Sequence, residues 1–308
     1  MQMIQGTTEF GLSGKSAVAI GKFDGIHLGH QKLLARILEL KKDGLLAVVF
    51  TFDPAPESFF SGRAMRELMT VEEKRVAFEK MGIDVLIEFP LTKETASTKP
   101  ERFVTEYLTD KLRAAVITAG TDLSFGEKGM GNAKLLQSMS EDCGYRLEII
   151  EKVSIDGEEI SSTLIREAVC AGNMEKVTAF LGTPYRISGR VIHGKQLGRT
   201  IGMPTVNLVP DEGKLMPQSG VYYSYVWLED RRYPAISNVG RKPTVSDKNI
   251  TGLETYLYDF DEDVYDKEIT VELLHFKRPE MRFESVEMLK EQMQRDLSEG
   301  VDFHKKTK

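Results

Sequence analysis

Gly21-Lys22-Phe23-Asp24-Gly25-Ile26-His27-Leu28-Gly29-His30 is the stretch on which the reading of the fold turns. It follows an apolar run over residues 16–21 and precedes Leu33, Leu34, Ile37 and Leu38, which recur at helical spacing before Gly44. A strand that turns through glycines into a helix is the unit of a parallel sheet, where ligands bind beyond the carboxyl ends of the strands. The helix N-terminus offers unpaired N–H groups and partial positive charge to phosphate. His27 and His30 are three apart, so both rings fall on one side of the first turn. Gly25 and Gly29 let a polyphosphate come close to the backbone, and two imidazoles can donate hydrogen bonds to phosphate oxygens during cleavage of a nucleotide. The bland alternative is two surface histidines near a helix start. A Zn²⁺ site is disfavoured, because neither a cysteine nor a third histidine lies nearby.

Outward from this segment, apolar runs at 45–52, 83–89, 114–119 and 145–151 read as further strands covered on both faces. Pro100 opens a crossover helix over 101–112, with Phe103, Tyr107 and Leu108 on one side. Two short helical patterns, 163–171 and 174–181, end the first half, and Gly182 and Pro184 break the last of them. From 185 to 276 the runs become polar and aromatic, with turns rich in Gly, Asp and Pro. Helical periodicity returns only at 284–297. The expectation is an α/β domain over 1–183 and an antiparallel β-barrel with a terminal helix over 184–308. A chain of 308 residues fits two domains better than one.

Composition narrows the function. The net charge of -6 and 41% hydrophobic content describe a soluble globular chain and argue against binding nucleic acid through phosphate neutralisation. Cys143 and Cys170 are the only cysteines, which excludes a disulfide framework. No run is long enough for a membrane span and residues 1–11 carry no secretory pattern, so the expected location is cytoplasmic. Weak self-association as a homo-oligomer is left open.

Three further constellations carry chemistry. Ser162, Thr163 and Arg166 open a helix; the hydroxyls alone read as N-caps, while Arg166 beside them reads as a second phosphate clamp that implies ATP. Asp122 follows the fourth strand into the same crevice. In the second half, residues 193–207 place Gly194, Lys195 and Gly202 in a loop ahead of Pro204, Thr205 and Asn207. Thr205 and Asn207 alternate onto one face of a strand, where a hydroxyl and an amide oxygen suit Mg²⁺ beside phosphates. Taken alone, a glycine-rich turn between strands is usually only a turn. Glu254 stands in an otherwise aromatic strand and is expected to point into the barrel mouth; a solvated glutamate is the alternative. Loops 126–132 and 194–202 are candidate lids on glycine content.

The motifs GKFDGIHLGH, TFDPAPESFF, ISSTLIREAV, LGTPYRISGRV, GRTIGMPTVNL, SGVYYSYV, NVGRKPT, LETYLYDFDEDVYDKEITVELL and KRPEMRFESVEML, in that order, cover about 17–297. Together they resemble the bifunctional prokaryotic riboflavin kinase/FAD synthetase family. The resemblance implies an N-terminal Rossmann-like nucleotidyltransferase domain that adenylates FMN to FAD and a C-terminal riboflavin-kinase-like barrel that phosphorylates riboflavin, with ATP as co-substrate of both. It further implies that Gly21, Phe23, Asp24, His27, Gly29, His30, Asp122, Ser162, Thr163 and Arg166 serve ATP in adenylation. In the kinase, Thr205 and Asn207 hold Mg²⁺-ATP and Glu254 is the base. Gly194, Lys195, Gly202 and Arg278 join the binding candidates, and Phe52, Phe59, Phe60 and Phe125 are the aromatic candidates for the flavin ring. Ala55, Leu123, Tyr256 and Asp266 depart from the family pattern, which often has His, Phe, His and Gly there. Alternatives are a chain with one silent half, a flavin sensor without turnover, and a nucleotidyltransferase for another phosphate.

Overall fold

A computed structural model describes residues 1–193, 203–243 and 249–307. The expected two-part α/β plus β architecture is present. Six strands, β1 (Gln2–Gln5), β2 (Ser16–Ile20), β3 (Leu46–Asp53), β4 (Val85–Pro90), β5 (Ala114–Gly120) and β6 (Arg146–Ile150), form one parallel sheet in the order β1-β4-β3-β2-β5-β6. Every residue of β2 is buried, as its uninterrupted apolar run requires of a central strand with helices on both faces.

Alternation along the strands sorts two cores. Val18, Ile20, Val48, Phe50, Ile87 and Phe89 face one side, with Phe103, Val104, Tyr107 and Leu108 laid over them. Ala17, Ala19, Ala47, Val49 and Leu86 face the other, against α1 (Leu28–Lys41) through Leu34, Ile37 and Leu40 and against α3 (Val71–Met81) through Phe78. A short helix, α2 (Pro56–Ser61), lies between β3 and α3 in the chain. The helix expected over 101–112 is α-helical only at Pro100–Arg102 and continues as a π-helix over Phe103–Lys111. Another helix, α4 (Ala133–Cys143), precedes β6.

The second part is a closed antiparallel barrel of β7 (Tyr185–Ile192), β8 (Val206–Leu208), β9 (Gly220–Leu228), β10 (Arg231–Pro243), β11 (Asn249–Leu257) and β12 (Glu268–Arg278). Its order is β7-β8-β11-β10-β9-β12, closed by β12 on β7. Leu208, Leu253, Thr255, Ser237, Val239, Val226 and Val271 are all essentially fully buried. Period-two alternation puts them on the inner face. There the hydroxyls of Ser224, Ser237 and Thr255 form a chain at 2.8 Å per link, which satisfies three polar groups that would otherwise be costly to bury.

Two helices connect the sheet to the barrel strands in sequence: α5 (Ser162–Cys170) and α6 (Met174–Leu181). The chain divides into compact units at Met1–Ser162 and Thr163–Lys308, earlier than the expected break after residue 183. The reason is that α6 lies against β7 and β12. The terminal helix α7 (Val286–Lys306), capped by Ser285, sets Leu297 and Phe303 on the outer wall against Val221, Tyr223, Ile236 and Tyr256.

Candidate active sites

In the first unit the loop from β2 to α1 is held in a backbone that few sequences tolerate. Phe23 and Ile26 have φ of 53° and 43°, in the left-handed region that side chains with a Cβ avoid, and Gly25 between them has φ of 83°. Burial compensates. Phe23 is fully buried, with its ring 5.7 Å edge-on to Phe78 and 5.1 Å from the ring of His30. The Asp24 carboxylate accepts the backbone N–H groups of Leu68 (2.7 Å) and Met69 (3.2 Å), and its carbonyl accepts the Ser162 hydroxyl at 2.9 Å. Asp24 and Ser162 therefore brace the loop in addition to any role toward ATP.

His27 is the N-cap of α1, its Nδ1 accepting from the His30 N–H at 3.4 Å. That bond places the proton of a neutral His27 on Nε2. The two imidazoles stack with centroids 3.8 Å apart, so the helical spacing brings them together as expected. Burial lowers the His27 pKa to about 4, the charge of Asp122 opposing the shift. His30 is held well below its ordinary value by burial first, then by His27 and Lys74. Both rings are uncharged at neutral pH, donors rather than cations. Gly29 is needed here: a Cβ would lie 3.1 Å from His27 Cε1. A Cβ on Gly21 would sit 3.1 Å from the Phe23 ring.

Asp122 is exposed and lies 3.5 Å from Lys152. Thr163 is exposed, and Arg166, one turn beyond Ser162 on α5, is half-buried. Among the aromatic candidates, Phe60 is 67% exposed and edge-on to Phe59 at 5.2 Å on α2, whereas Phe52 is half-buried against Phe50 and Phe89. Phe125 is 3% exposed, sealed between Phe103 and Gly131, so its ring belongs to the core, while Phe52, Phe59 and Phe60 keep exposed ring surface.

In the barrel, Thr205 Oγ1 donates to Glu254 Oε1 at 2.7 Å, and Asn207 stands directly opposite Glu254 across the β8–β11 ladder. Thr205 and Asn207, which sequence spacing put on one face, thus lie beside Glu254. The expectation that Glu254 points into the barrel mouth is corrected. Its neighbours Leu253 and Thr255 fill the interior, and alternation leaves Glu254 on the outer wall. Arg278 donates through Nε and Nη2 to Asp296 Oδ2 on α7, at 2.9 and 2.6 Å, where Gln292 holds the other carboxylate oxygen. Gly194, Lys195 and Gly202, and the candidate lid 194–202, lie outside the described residues.

Sequence reasoning passed over Lys74 and Glu67, half-sequestered in a 2.8 Å ion pair near His30. The sequence marks Asn238, in NVGRKPT, only as a polar candidate without a role, and it lies across β10–β11 from Glu254. The signal for Asn238 was parity: given paired strands, a polar residue inside NVGRKPT must share a face with some residue of LETYLYDF.

The family models for FAD synthetase and for riboflavin kinase match residues 11–164 and 181–303. A bifunctional riboflavin kinase/FMN adenylyltransferase of Listeria monocytogenes is 33% identical over 97% of this chain and 96% of its own length. The chain belongs to this family. Two other bifunctional riboflavin kinase/FMN adenylyltransferases, of Haemophilus influenzae and Escherichia coli K12, are 36% and 34% identical, covering 93% and 94% of this chain and 94% and 93% of their own lengths. A solved structure from Streptococcus pneumoniae, described as a macrolide-efflux protein, superposes with a TM-score of 0.85 at 30% identity, over 96% of this chain and 97% of that one. Among the described residues no helix is long and apolar enough to cross a membrane. Within the bifunctional family the parallel sheet is the FAD synthetase half and the barrel the riboflavin kinase half.

Proposed function

We propose that this chain converts riboflavin and ATP to FMN and ADP on the outer wall of the barrel, and FMN and ATP to FAD and pyrophosphate at the loop between β2 and α1. What carries the reading, beside full-length kinship with two-activity relatives, is the adjacency of Thr205, Asn207 and Glu254 on one side of one ladder. A primary alcohol ionises near pH ~15.7 and needs a base aligned on its proton. Glu254 takes that proton as the alcohol oxygen bonds to the γ-phosphorus and the bond to ADP breaks. The Thr205 hydroxyl and the side-chain amide oxygen of Asn207 are hard neutral donors of the kind Mg²⁺ accepts, so the residues fit the ion. When bound, Mg²⁺ neutralises charge developing on the phosphates.

Adenylation needs no base. The FMN phosphate, with a second pKa near ~6, is already anionic at neutral pH. One of its oxygens bonds to the α-phosphorus of ATP as the bond to pyrophosphate breaks. His27 Nε2–H and the N–H groups at the start of α1 are the groups we assign to the phosphates, donors matched to growing negative charge.

Chromatography of reactions with ATP, Mg²⁺ and either riboflavin or FMN tests both halves. Glu254→Gln should lower FMN formation by about a thousandfold, the middle of the range for general-base effects, and leave FAD formation from FMN within twofold. Equal losses of both products would contradict the assignment of Glu254 to one half.

A further inference from the structure

The row on the barrel wall does not stop at Glu254. Asn207 faces Glu254 from β8, and Asn238 faces it from β10, so the three side chains cross three strands in line. Neighbouring strands are ~4.8 Å apart, which puts Asn238 one strand step from the base on the side away from Thr205 and Asn207. Asn238 Nδ2 donates to Glu280 Oε1 at 3.1 Å. An ionised carboxylate can only accept, so the amide nitrogen must face Glu280 and the amide oxygen is left as an acceptor. Gly240, two residues along the same face, makes room for this carboxylate: a Cβ there would fall 2.2 Å from Glu280 Oε1.

Direction follows from chemistry. If ATP enters from the Asn207 side, an in-line transfer brings the acceptor alcohol to Glu254 from the opposite side. Among the described side chains, that side offers two acceptors, the Asn238 oxygen and the Glu280 carboxylate. Such a surface repels polyphosphate and suits a chain of hydroxyl donors. We propose that Asn238 and Glu280 bind the ribityl hydroxyls next to the reacting 5′-hydroxyl of riboflavin, and so set the flavin specificity of the kinase.

This assignment rests on the kinase reading above. Steady-state FMN formation would be measured for Asn238→Ala and Glu280→Gln, with riboflavin and with riboflavin analogues lacking the 3′- or 4′-hydroxyl. The expected result is a riboflavin KM raised about tenfold or more, as for loss of a charge-assisted hydrogen bond, with the ATP KM unchanged. The penalty should disappear for the analogue that lacks the contacted hydroxyl. Glu280→Gln keeps the shape of the side chain, so its loss does not reflect a missing fold. Three outcomes would overturn the assignment: unchanged KM values, an ATP KM that rises with the flavin KM, or equal penalties with riboflavin and both analogues. A wild-type chain that makes no FMN would overturn the kinase reading itself, and the assignment with it. Wild-type turnover with unaffected variants would remove the assignment alone.

Discussion

His27 shows how one side chain links a cap, a proton and a pH response. Its Nδ1 closes the first turn of α1 and its ring is 8% exposed. The folded pKa is about 4 against about 6.5 in an unfolded chain, so between those values the unfolded state binds more protons. Stability contributed by neutral His27 is therefore complete above pH ~6.5 and lost as pH falls towards ~4, about 2 kcal/mol of it by pH ~5. Urea unfolding at pH 7 and pH 5 should show the wild-type midpoint dropping, and His27→Asn, which keeps a capping group without the titration, should show a shallower drop. An unchanged slope in the variant would mean that His27 does not govern the acid limb. The residue pair itself was legible, because three-residue spacing at a helix start fixes the side both rings occupy. Their uncharged state was not: it depends on Phe23, Lys74 and Asp122, brought in from other parts of the chain.

At the scale of elements, β9 pairs with β12 through a position that only glycine fits. Gly220 has φ of 152°, and a Cβ there would come 2.4 Å from the Arg278 carbonyl oxygen, beside the register shift between Val221 and Tyr222. Gly220→Ala should destabilise the barrel by ~3 kcal/mol, read as a lower midpoint for loss of kinase activity while adenylation persists. Survival of kinase activity at wild-type temperatures would show that the strands shift apart at little cost.

Central strands such as β2 and β3 were readable because burial on both faces leaves an uninterrupted apolar run. By contrast β1, a four-residue edge strand of sequence QMIQ, has no pattern of its own and exists through its pairing with β4. The helices α3 and α4 did carry local signals that went unread, Thr70 and Glu73 forming a capping box and Asn132 and Gly144 marking both ends of α4. The π-helical stretch at Phe103–Lys111, whose Phe103, Val104, Tyr107 and Leu108 pack in the sheet core, has no comparable signature.

For the whole molecule, two compact units carry two chemistries, and the product of one is a substrate of the other. A Glu254→Gln chain should make FAD from FMN but not from riboflavin. A chain with His27→Ala and His30→Ala should stop at FMN. Mixing the two with riboflavin and ATP should restore FAD, because FMN released by one chain can reach another. No FAD from the mixture would show that the intermediate is retained. The division of labour was legible in the order of the motifs. The face of the barrel that carries Glu254 was not, because a strand sequence alternates without saying which side is inside.

That alternation has an evolutionary reading. From Leu253 to Leu257 the chain is a two-sided card, with Leu253, Thr255 and Leu257 turned to the filled interior and Glu254 and Tyr256 to the outer wall. Inner positions answer only to volume and hydroxyl pairing, and can drift among residues of similar size; the outer position, with Glu254 as the proposed base, answers to a proton. Saturation mutagenesis scored by growth on riboflavin alone should therefore show a period-two stripe of tolerance along this strand. A single-residue deletion anywhere within it would exchange the two sides and be lost from the population.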